Sequence, residues 1–255
     1  MGAAEGQAAD GDAATQQTVD LRVWRVSGAA NVMKAVGHMG RDRRAVGRHP
    51  GLTFYKLLGT GSGRTFTMRD ADLHHWALLT VFRDRVAADA FEDAPVVSSW
   101  QELAAESLRV RMSPLSSRGL WAGRSPFETV VPHRWRGPVA ALTRARIRAS
   151  RLTTFWASVP PVALDLRGRP GLLASIGIGE APIGLQGTFS IWSSGADLTA
   201  FAQRGSAHRK VIADTRRLRW YSEELFARLA VLDIAGTFHG SPVLPASPVS
   251  PDVAQ

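Results

Sequence analysis

The sequence predicts an α+β protein in which two ferredoxin-like βαββαβ units form an α/β barrel of the dimeric type. The first observation is an internal repeat, because residues 51–59 resemble residues 171–179, and residues 108–115 resemble residues 225–232. The second observation is that both halves show the same order of strand and helix periodicities. The third is size, since 255 residues with 45% hydrophobic side chains can bury two sheets against each other.

The first half, residues 18–127, has the pattern of four strands with helices between them. Residues 29–41 have helical spacing, with Val32, Val36 and Met39 recurring at three- and four-residue intervals. Short runs rich in apolar and β-branched residues indicate the strands. The predicted elements are a strand at 21–26, a helix at 29–41, strands at 52–58 and 75–82, a helix from 86 to 103, and a strand at 108–115.

The second half, residues 138–240, repeats this order after a linker at 128–137. Its predicted elements are a strand at 139–147, a short helix at 152–157, strands at 172–178 and 185–192, a helix pair at 197–217 and a strand at 225–232. Pro160 and Pro161 end the short helix, because proline cannot continue one. Residues 1–17 and 241–255 are predicted to be disordered tails on their composition.

Composition narrows the classes of chemistry and partner. The chain has no cysteine, which excludes disulfides, thiolate-ligated haem and cysteine nucleophiles. Its net charge is +9, almost all of it guanidinium, which permits an acidic protein, an anionic membrane surface or nucleic acid as a partner. Residues 1–17 lack the pattern of a signal peptide, and no run of 18 apolar residues occurs, so we expect a cytoplasmic protein with at most peripheral membrane contact.

Arg144, Arg146 and Arg148 alternate with smaller or apolar residues on the strand that opens the second half, so their guanidinium groups should share one face. This pattern is typical of a solvated sheet face or a protected edge. It also fits a site for propionates, a phosphate or an acidic electron-donor protein. Nucleic acid is disfavoured, because aromatic side chains are not interleaved with these arginines.

His208 is the candidate metal ligand. Val211, Ile212 and Thr215 follow it at helical intervals, which places its imidazole on an apolar helix face. A histidine there is either hydrogen-bonded to a carbonyl group at the edge of the core or an axial ligand of haem iron. Similarly, Phe189 and Trp192 belong to an apolar stretch that forms either core or the wall of a pocket for a flat ligand.

Several blocks in the chain, taken in order, resemble the spheroidene monooxygenase family of carotenoid biosynthesis. The similarity runs from about residue 21 to residue 244. The blocks include Phe54-Tyr-Lys-Leu-Leu-Gly-Thr-Gly61, Ala104-Ala-Glu-Ser107, Arg118-Gly-Leu-Trp-Ala-Gly123, Leu142-Thr-Arg-Ala-Arg-Ile-Arg148, Ile176-Gly-Ile-Gly-Glu180, Thr188-Phe-Ser-Ile-Trp192 and Ser222-Glu-Glu-Leu225. The chain departs from the family at Arg219, where a glycine is usual, and around His208, where the segment is more basic.

The resemblance implies a haem-containing oxygenase that takes electrons from a ferredoxin and inserts oxygen from O2 into an acyclic carotenoid, giving keto products. The closed sheets would supply an apolar chamber, and His208 the axial ligand. Without a thiolate ligand, Lys56 or Arg144 would assist O–O cleavage by stabilising the negative charge that develops. The competing interpretation is a non-catalytic barrel protein that binds a small apolar ligand.

Overall fold

A computed structural model describes residues 16–61, 71–128, 135–151, 166, 168–180, 185–204 and 220–244. These residues form a mostly antiparallel α+β fold. Its strands are β1 Thr18–Val26, β2 Leu52–Gly61, β3 Ala71–Phe82, β4 Ala104–Gly119, β5 Val139–Ile147, β6 Leu172–Gly179, β7 Leu185–Trp192 and β8 Tyr221–Gly236. Its helices are α1 Ala29–Gly47, α2 Arg85–Ala90, α3 Pro95–Leu103 and α4 Gly195–Arg204, with a short 3-10 turn at Ala149–Arg151.

The strands pair around a closed ring in the order β1-β3-β2-β6-β7-β5-β8-β4, and β4 pairs with β1 to complete it. Neighbouring strands are antiparallel, and each half contributes four adjacent strands in which the fourth lies beside the first, then the third, then the second. The halves meet along a long seam between β4 and β8 and a short one between β2 and β6. The repeat seen in the sequence is therefore also a repeat of strand order.

The predicted strands and the helix at 29–41 are confirmed, most with longer bounds than the periodicity indicates. The single helix predicted at 86–103 is wrong, because the structure has two helices there. The Asp84 carboxylate caps α2 by accepting the N–H of Ala87 at 2.8 Å, and α3 begins separately at Pro95. The predicted helix at 152–157 and residues 205–217 of the helix pair lie outside the described residues.

Hydrogen bonds fix both ends of the described chain near the boundaries of the predicted halves. The Gln17 side chain donates to the carbonyl oxygen of Pro126 at 3.3 Å and accepts the N–H of Glu128 at 2.9 Å, which ties the start of β1 to the end of the first half. Ser241 forms a bridge with Phe238, and the described chain continues to residue 244. Residues 1–15 and 245–255 lie outside it.

Apolar side chains from all eight strands pack together inside the ring. They alternate along each strand, as Val19, Leu21 and Val23 do on β1. A closed sheet of eight strands is just wide enough to be filled by its own side chains or to hold one small ligand. The apolar chamber expected at this place stays a prediction.

The outer faces of the two sheets differ. In the first half, α1, α2 and α3 cover bulky residues that include Trp24, Trp76 and Phe82, with Trp100 of α3 stacked on Trp24 at 5.1 Å between ring centroids. In the second half, α4 covers one end of the sheet, where Trp192 stacks on Phe201. The rows beyond that end carry small side chains on β5, β6 and β7 and larger ones on β8. They are Ala141 beside Ser190, Ser175 and Arg228, and Thr143 beside Thr188, Gly177 and Phe226.

A buried network of charges lies on the outer face of the first sheet. Asp20 is fully buried, and Arg111 grips its carboxylate with two hydrogen bonds of 3.0 Å. Arg111 also bonds Asp89 of α2 and Glu92, so the network fastens that helix to the sheet. Burial would lower the pKa of Arg111, but the hydrogen bonds and charge of Asp20 raise it above its usual value. We call Asp20, Asp89, Glu92 and Arg111 the outer charge network.

Two glycines in equivalent places require a backbone conformation that other residues rarely adopt. Gly119 ends β4 with φ +91°, and Gly236 ends β8 with φ +90°. A Cβ atom on Gly236 would lie 2.0 Å from the carbonyl oxygen of Ser107. We therefore expect Gly236→Ala to lower the free energy of unfolding by about 2–3 kcal/mol.

Chemical denaturation would measure this loss. Gly37→Ala is the matched control, because Gly37 lies within α1 and a Cβ there would meet no atom within 4 Å. Alanine stabilises a helix interior relative to glycine by about 0.5–1 kcal/mol, so the control should be neutral or more stable. Equal effects of the two substitutions would contradict the prediction.

Candidate functional site

One end of the ring interior holds a group of charged side chains, which we call the interior charge cluster. Its members are Lys56, Trp121, Arg144, Glu180 and Glu223. Lys56 is on β2, Arg144 on β5 and Glu223 on β8, while Trp121 and Glu180 directly follow β4 and β6. The cluster therefore joins strands from both halves of the chain.

Glu180 is the centre of the cluster. Its Oε2 accepts from Lys56 Nζ at 2.6 Å, and its Oε1 accepts from Arg144 Nη2 at 2.9 Å. The indole Nε1 of Trp121 donates to the same Oε1 at 2.6 Å. Both carboxylate oxygens are thus engaged by groups that favour the charged form.

Arg144 connects Glu180 to Glu223. Its side chain is 2% exposed, and it donates one hydrogen bond to each carboxylate. Glu223 in turn accepts the backbone N–H groups of Ala122 at 3.0 Å and Gly123 at 2.7 Å. These contacts hold the tight turn that contains Trp121, where Ala122 has φ +55°.

The aromatic rings of the site lie beside its cations. Lys56 Nζ is 5.6 Å from the ring centroid of Phe54 and 5.9 Å from that of Trp121, and the Arg144 guanidinium is 5.6 Å from Trp121. Phe54 and Trp121 also contact each other edge to face. Cation–π attraction is strongest where water is excluded, so these rings add to the stability of the buried charges.

The pKa values of the two carboxyl groups respond to this arrangement. Burial alone would raise the pKa of Glu180, but the hydrogen bond and charge of Lys56 and the Trp121 indole together hold it below its usual value. Burial alone would likewise raise the pKa of Glu223, but the Gly123 N–H and Arg144 outweigh this effect and hold it below its usual value. Both groups are therefore ionised at neutral pH, and the four charges of the cluster cancel.

The structure brings together two predicted site residues, Lys56 and Arg144, through their shared contact with Glu180. It separates Arg144 from Arg146 and Arg148. Arg144 is buried within the ring, whereas Arg146 and Arg148 are exposed at the end of β5. Arg144 Nε is buried and has no hydrogen-bond partner.

Phe189 and Trp192 lie on opposite faces of β7. Phe189 belongs to the core inside the ring, and Trp192 packs with Leu198 on the outer face beneath α4. A single flat ligand therefore cannot contact both side chains. Trp192 is the member of this pair that lies on the face with the small side chains.

His208 lies outside the described residues, and so does His133. Among the described histidines, His75 has the arrangement of a ligand. Its side chain is 10% exposed, its Nδ1 bonds the Asp72 carboxylate at 2.7 Å, and its Nε2 is buried without a partner. A carboxylate on one ring nitrogen orients metal-binding histidines in general. Its position at the far end of the ring, beside Phe238 and His239, is separate from the interior charge cluster.

The other described histidines are engaged differently. His38 uses both ring nitrogens, with Asp42 and Arg41. His49 bonds the carbonyl oxygen of Ala87. His74 and His239 are exposed. No group of three side chains suited to hold a metal ion occurs within the described residues.

Comparison with known proteins gives three relatives of the same name. The chain is 36% identical over 223 residues to the spheroidene monooxygenase of Rhodobacter capsulatus, covering 86% of this chain and 92% of the relative. The chain belongs to the spheroidene monooxygenase family. The enzymes of that name from Cereibacter sphaeroides and Rubrivivax gelatinosus are 33% and 38% identical, covering 88% and 75% of this chain and 69% and 73% of their own. The protein is accordingly a monooxygenase, although no family model matches it.

Among solved structures, an aldoxime dehydratase is similar in fold with a TM-score of 0.59. The match is 12% identical in sequence and covers 85% of this chain and 82% of that chain. At this identity the likeness concerns the fold alone. Within the described residues of this chain, no helix is long and apolar enough to cross a membrane.

Three members of the interior charge cluster, Trp121, Glu180 and Glu223, were not predicted as site residues. Each nevertheless occurs in a block that carries the resemblance to the spheroidene monooxygenase family, as Lys56 and Arg144 do. The blocks are far apart in sequence, and the ring brings one residue from each to a single place. A search for charged or indole side chains within those blocks would have found the cluster.

Proposed function

We propose that the protein is a haem-dependent monooxygenase that inserts oxygen from O2 into an acyclic carotenoid. The observation that carries this proposal is the identity of 33–38% to three enzymes named spheroidene monooxygenase. Each oxygen atom inserted would consume one O2, two electrons and two protons and release one water. A ferredoxin-type protein is the proposed electron donor.

The outer face of the second sheet is the proposed place for the haem. The small side chains of Ala141, Thr143 and Thr188 leave room there for a flat apolar group, whereas the matching rows of the first sheet carry bulky residues such as Trp24. The helix α4 covers one end of this face through Phe201 and leads along the chain towards His208. Bound haem would supply the redox-active iron that activates O2.

His208 would hold the haem iron. Arg146 and Arg148 would bind the propionates from the exposed end of β5, since Arg146 shares the strand face of Arg144 and does not lie on the outer face itself. Their exposed guanidinium groups also suit an acidic ferredoxin-type donor. Trp192 contributes to the wall of the same face. Phe189 supports that wall from inside the ring.

Lys56 and Arg144 are proposed to act from within the ring. Each of these cations is paired with a carboxylate. The proposed role of Lys56 and Arg144 is therefore to hold the turn at Trp121 and the start of β8 in place relative to β5 and β6. Arg144 Nε is the donor left over for a ligand or a water molecule. The same strand order in both halves, together with the fold likeness, supports a duplicated ferredoxin-like α/β barrel of the dimeric type.

Reconstitution tests the reaction. The purified protein with haem, a ferredoxin, its reductase and NADPH should convert spheroidene to an oxygenated product, and mass spectrometry with 18O2 should find the label in that product. Omission of the ferredoxin should abolish turnover. A protein that binds spheroidene but shows no Soret band after haem supplementation would favour the non-catalytic binding protein.

The haem ligand can be tested without activity. We expect His208→Ala to lose the Soret band, or to shift it, while keeping the circular dichroism of the native fold. His75→Ala is the matched control, since His75 is the described histidine with a buried, unpartnered ring nitrogen. Loss of the haem spectrum in His75→Ala with an unchanged spectrum in His208→Ala would overturn the assignment.

A further inference from the structure

The exposed face of α1 is the feature from which we draw a further inference. This helix of 19 residues carries the exposed cations Lys34, Arg41, Arg43 and Arg44, and Arg48 follows directly at its end. Its single acidic residue, Asp42, is buried. Asp42 lies 3.5 Å from Arg41, and the helix has no carboxylate for its other cations, so its solvent-facing side is positively charged.

Apolar side chains lie on the same exposed side. Met33 is 69% exposed and Val36 is 46% exposed, although the spacing of Val36 had indicated a place on the apolar, core-facing side. At 100° per residue, Met33, Gly40 and Arg44 lie opposite the buried stripe of the helix. Val36 and Arg43 lie to one side of them, and Lys34, Arg41 and Arg48 to the other. The face thus combines two exposed apolar side chains with cations on both sides of them.

The rotation of α1 that exposes this face is fixed by contacts on its buried side. The Asp42 carboxylate accepts from Nδ1–H of His38 at 2.7 Å and from the indole Nε1 of Trp100 at 3.0 Å. The His38 ring also lies against Trp100, with centroids 5.2 Å apart. Ala35 and Val46 complete the buried stripe. The helix cannot rotate Met33 and Val36 inwards without breaking these hydrogen bonds.

We propose that α1 binds the surface of an anionic lipid bilayer. A helix that exposes apolar residues together with Lys and Arg side chains can lie flat at the interface. Its apolar side chains then lie among the acyl chains and its cations at the headgroups. An acidic protein would satisfy the cations alone and would leave Met33 and Val36 without a role. The proposal is independent of the haem and of the proposed substrate, because it concerns binding only.

Vesicle sedimentation tests the proposal with the full chain. We expect binding to vesicles of equal phosphatidylglycerol and phosphatidylcholine, weaker binding as salt is raised, and no binding to phosphatidylcholine alone. Each cation near an anionic surface contributes about 1 kcal/mol. The triple variant Lys34→Gln, Arg44→Gln, Arg48→Gln should therefore bind roughly 100-fold more weakly. Arg41 is kept, because it contacts His38.

The matched control removes the same charge elsewhere. Arg83, Arg85 and Arg124 are exposed and lie outside α1, and their joint substitution by Gln should leave vesicle binding within about twofold of the native protein. Equal loss in the two triple variants would overturn the proposal, since it would mean that net charge alone drives binding. Thermal denaturation of each variant shows that the fold is retained.

A second variant tests the contribution of the exposed apolar residues Met33 and Val36. Met33→Ser with Val36→Ser keeps all charges and should weaken vesicle binding roughly tenfold or more, because each buried methylene contributes about 0.8 kcal/mol. Native affinity in this variant would overturn the burial of Met33 and Val36 among the acyl chains, and absence of vesicle binding by the native protein would overturn the lipid proposal in favour of an acidic protein partner.

Discussion

Replacing Arg144 with methionine should lower the free energy of unfolding by about 3–5 kcal/mol, the range expected when one partner of a buried ion pair is removed. Glu180 and Glu223 would remain in the ring with one cation between them, and the Trp121 turn would lose its link to β5. Turnover, measured where the variant is still folded, should fall as well. Denaturant titration and reconstituted activity measure the two effects.

Arg146→Met is the control for this result. Arg146 lies two residues further along β5 and is exposed, so its substitution should change the free energy of unfolding by no more than about 0.5 kcal/mol. Equal stability of the two variants would contradict the role of the interior charge cluster. Native turnover in a folded Arg144→Met protein would restrict Arg144 to a structural role.

The cost of Arg144→Met should depend on pH with a definite sign. The pKa values of Glu180 and Glu223 are held below their usual value in the folded protein, so their contribution to stability is complete above that value. It is lost as the pH falls through the lowered pKa values. The stability difference between the native protein and the variant should therefore shrink on acidification.

The second large effect is expected at Arg111. Methionine there would remove both hydrogen bonds that Arg111 donates to the fully buried Asp20, and Arg22 at 3.5 Å would be the cation that remains beside it. We expect a loss of about 3–5 kcal/mol in the free energy of unfolding. In contrast to the Arg144 variant, Arg111→Met molecules that remain folded should keep their turnover, because the outer charge network lies on the first sheet and the haem is proposed to bind on the second.

Arg85→Met is the control for Arg111→Met, because it removes an exposed ion pair in place of a buried one. Arg85 contacts Asp89, the same residue that Arg111 bonds. Both side chains of the Arg85–Asp89 pair are more than half exposed. Exposed pairs contribute up to about 1 kcal/mol, so this variant should be nearly as stable as the native protein. A similar loss in both variants would show that burial of Asp20 is not the cause.

The fold was predictable from sequence because its determinants are local and repeated. Alternating residues such as Val19, Leu21 and Val23 mark the strands, and paired glycines such as Gly119 and Gly236 mark equivalent turns. The break between α2 and α3 was missed because the apolar spacing continues across residues 91–94. Capping by Asp84 and the restart at Pro95 decide the break.

The site was predictable only in part, because it depends on contacts between distant segments. Periodicity places Arg144 on a strand face, but it cannot show that Glu180 lies within hydrogen-bond distance of it. Periodicity also places Phe189 and Trp192 in one apolar stretch, where both could be core residues or both could line a pocket. Their spacing of three residues, an odd number, puts them on opposite faces of a strand.

The two ends of the ring show what becomes possible when a repeated unit is joined in one chain. Lys56 lies five residues after Gly51, and the residue five after Gly171 is Ile176. Trp121 lies two residues after Gly119, and Phe238 occupies the matching place after Gly236. In a homodimer of identical units, each substitution would be imposed on both ends at once. Covalent fusion removes that symmetry constraint, so one end could acquire Lys56 and Trp121 while its counterpart carried Ile176 and Phe238 at the matching places, with the His75–Asp72 pair beside Phe238.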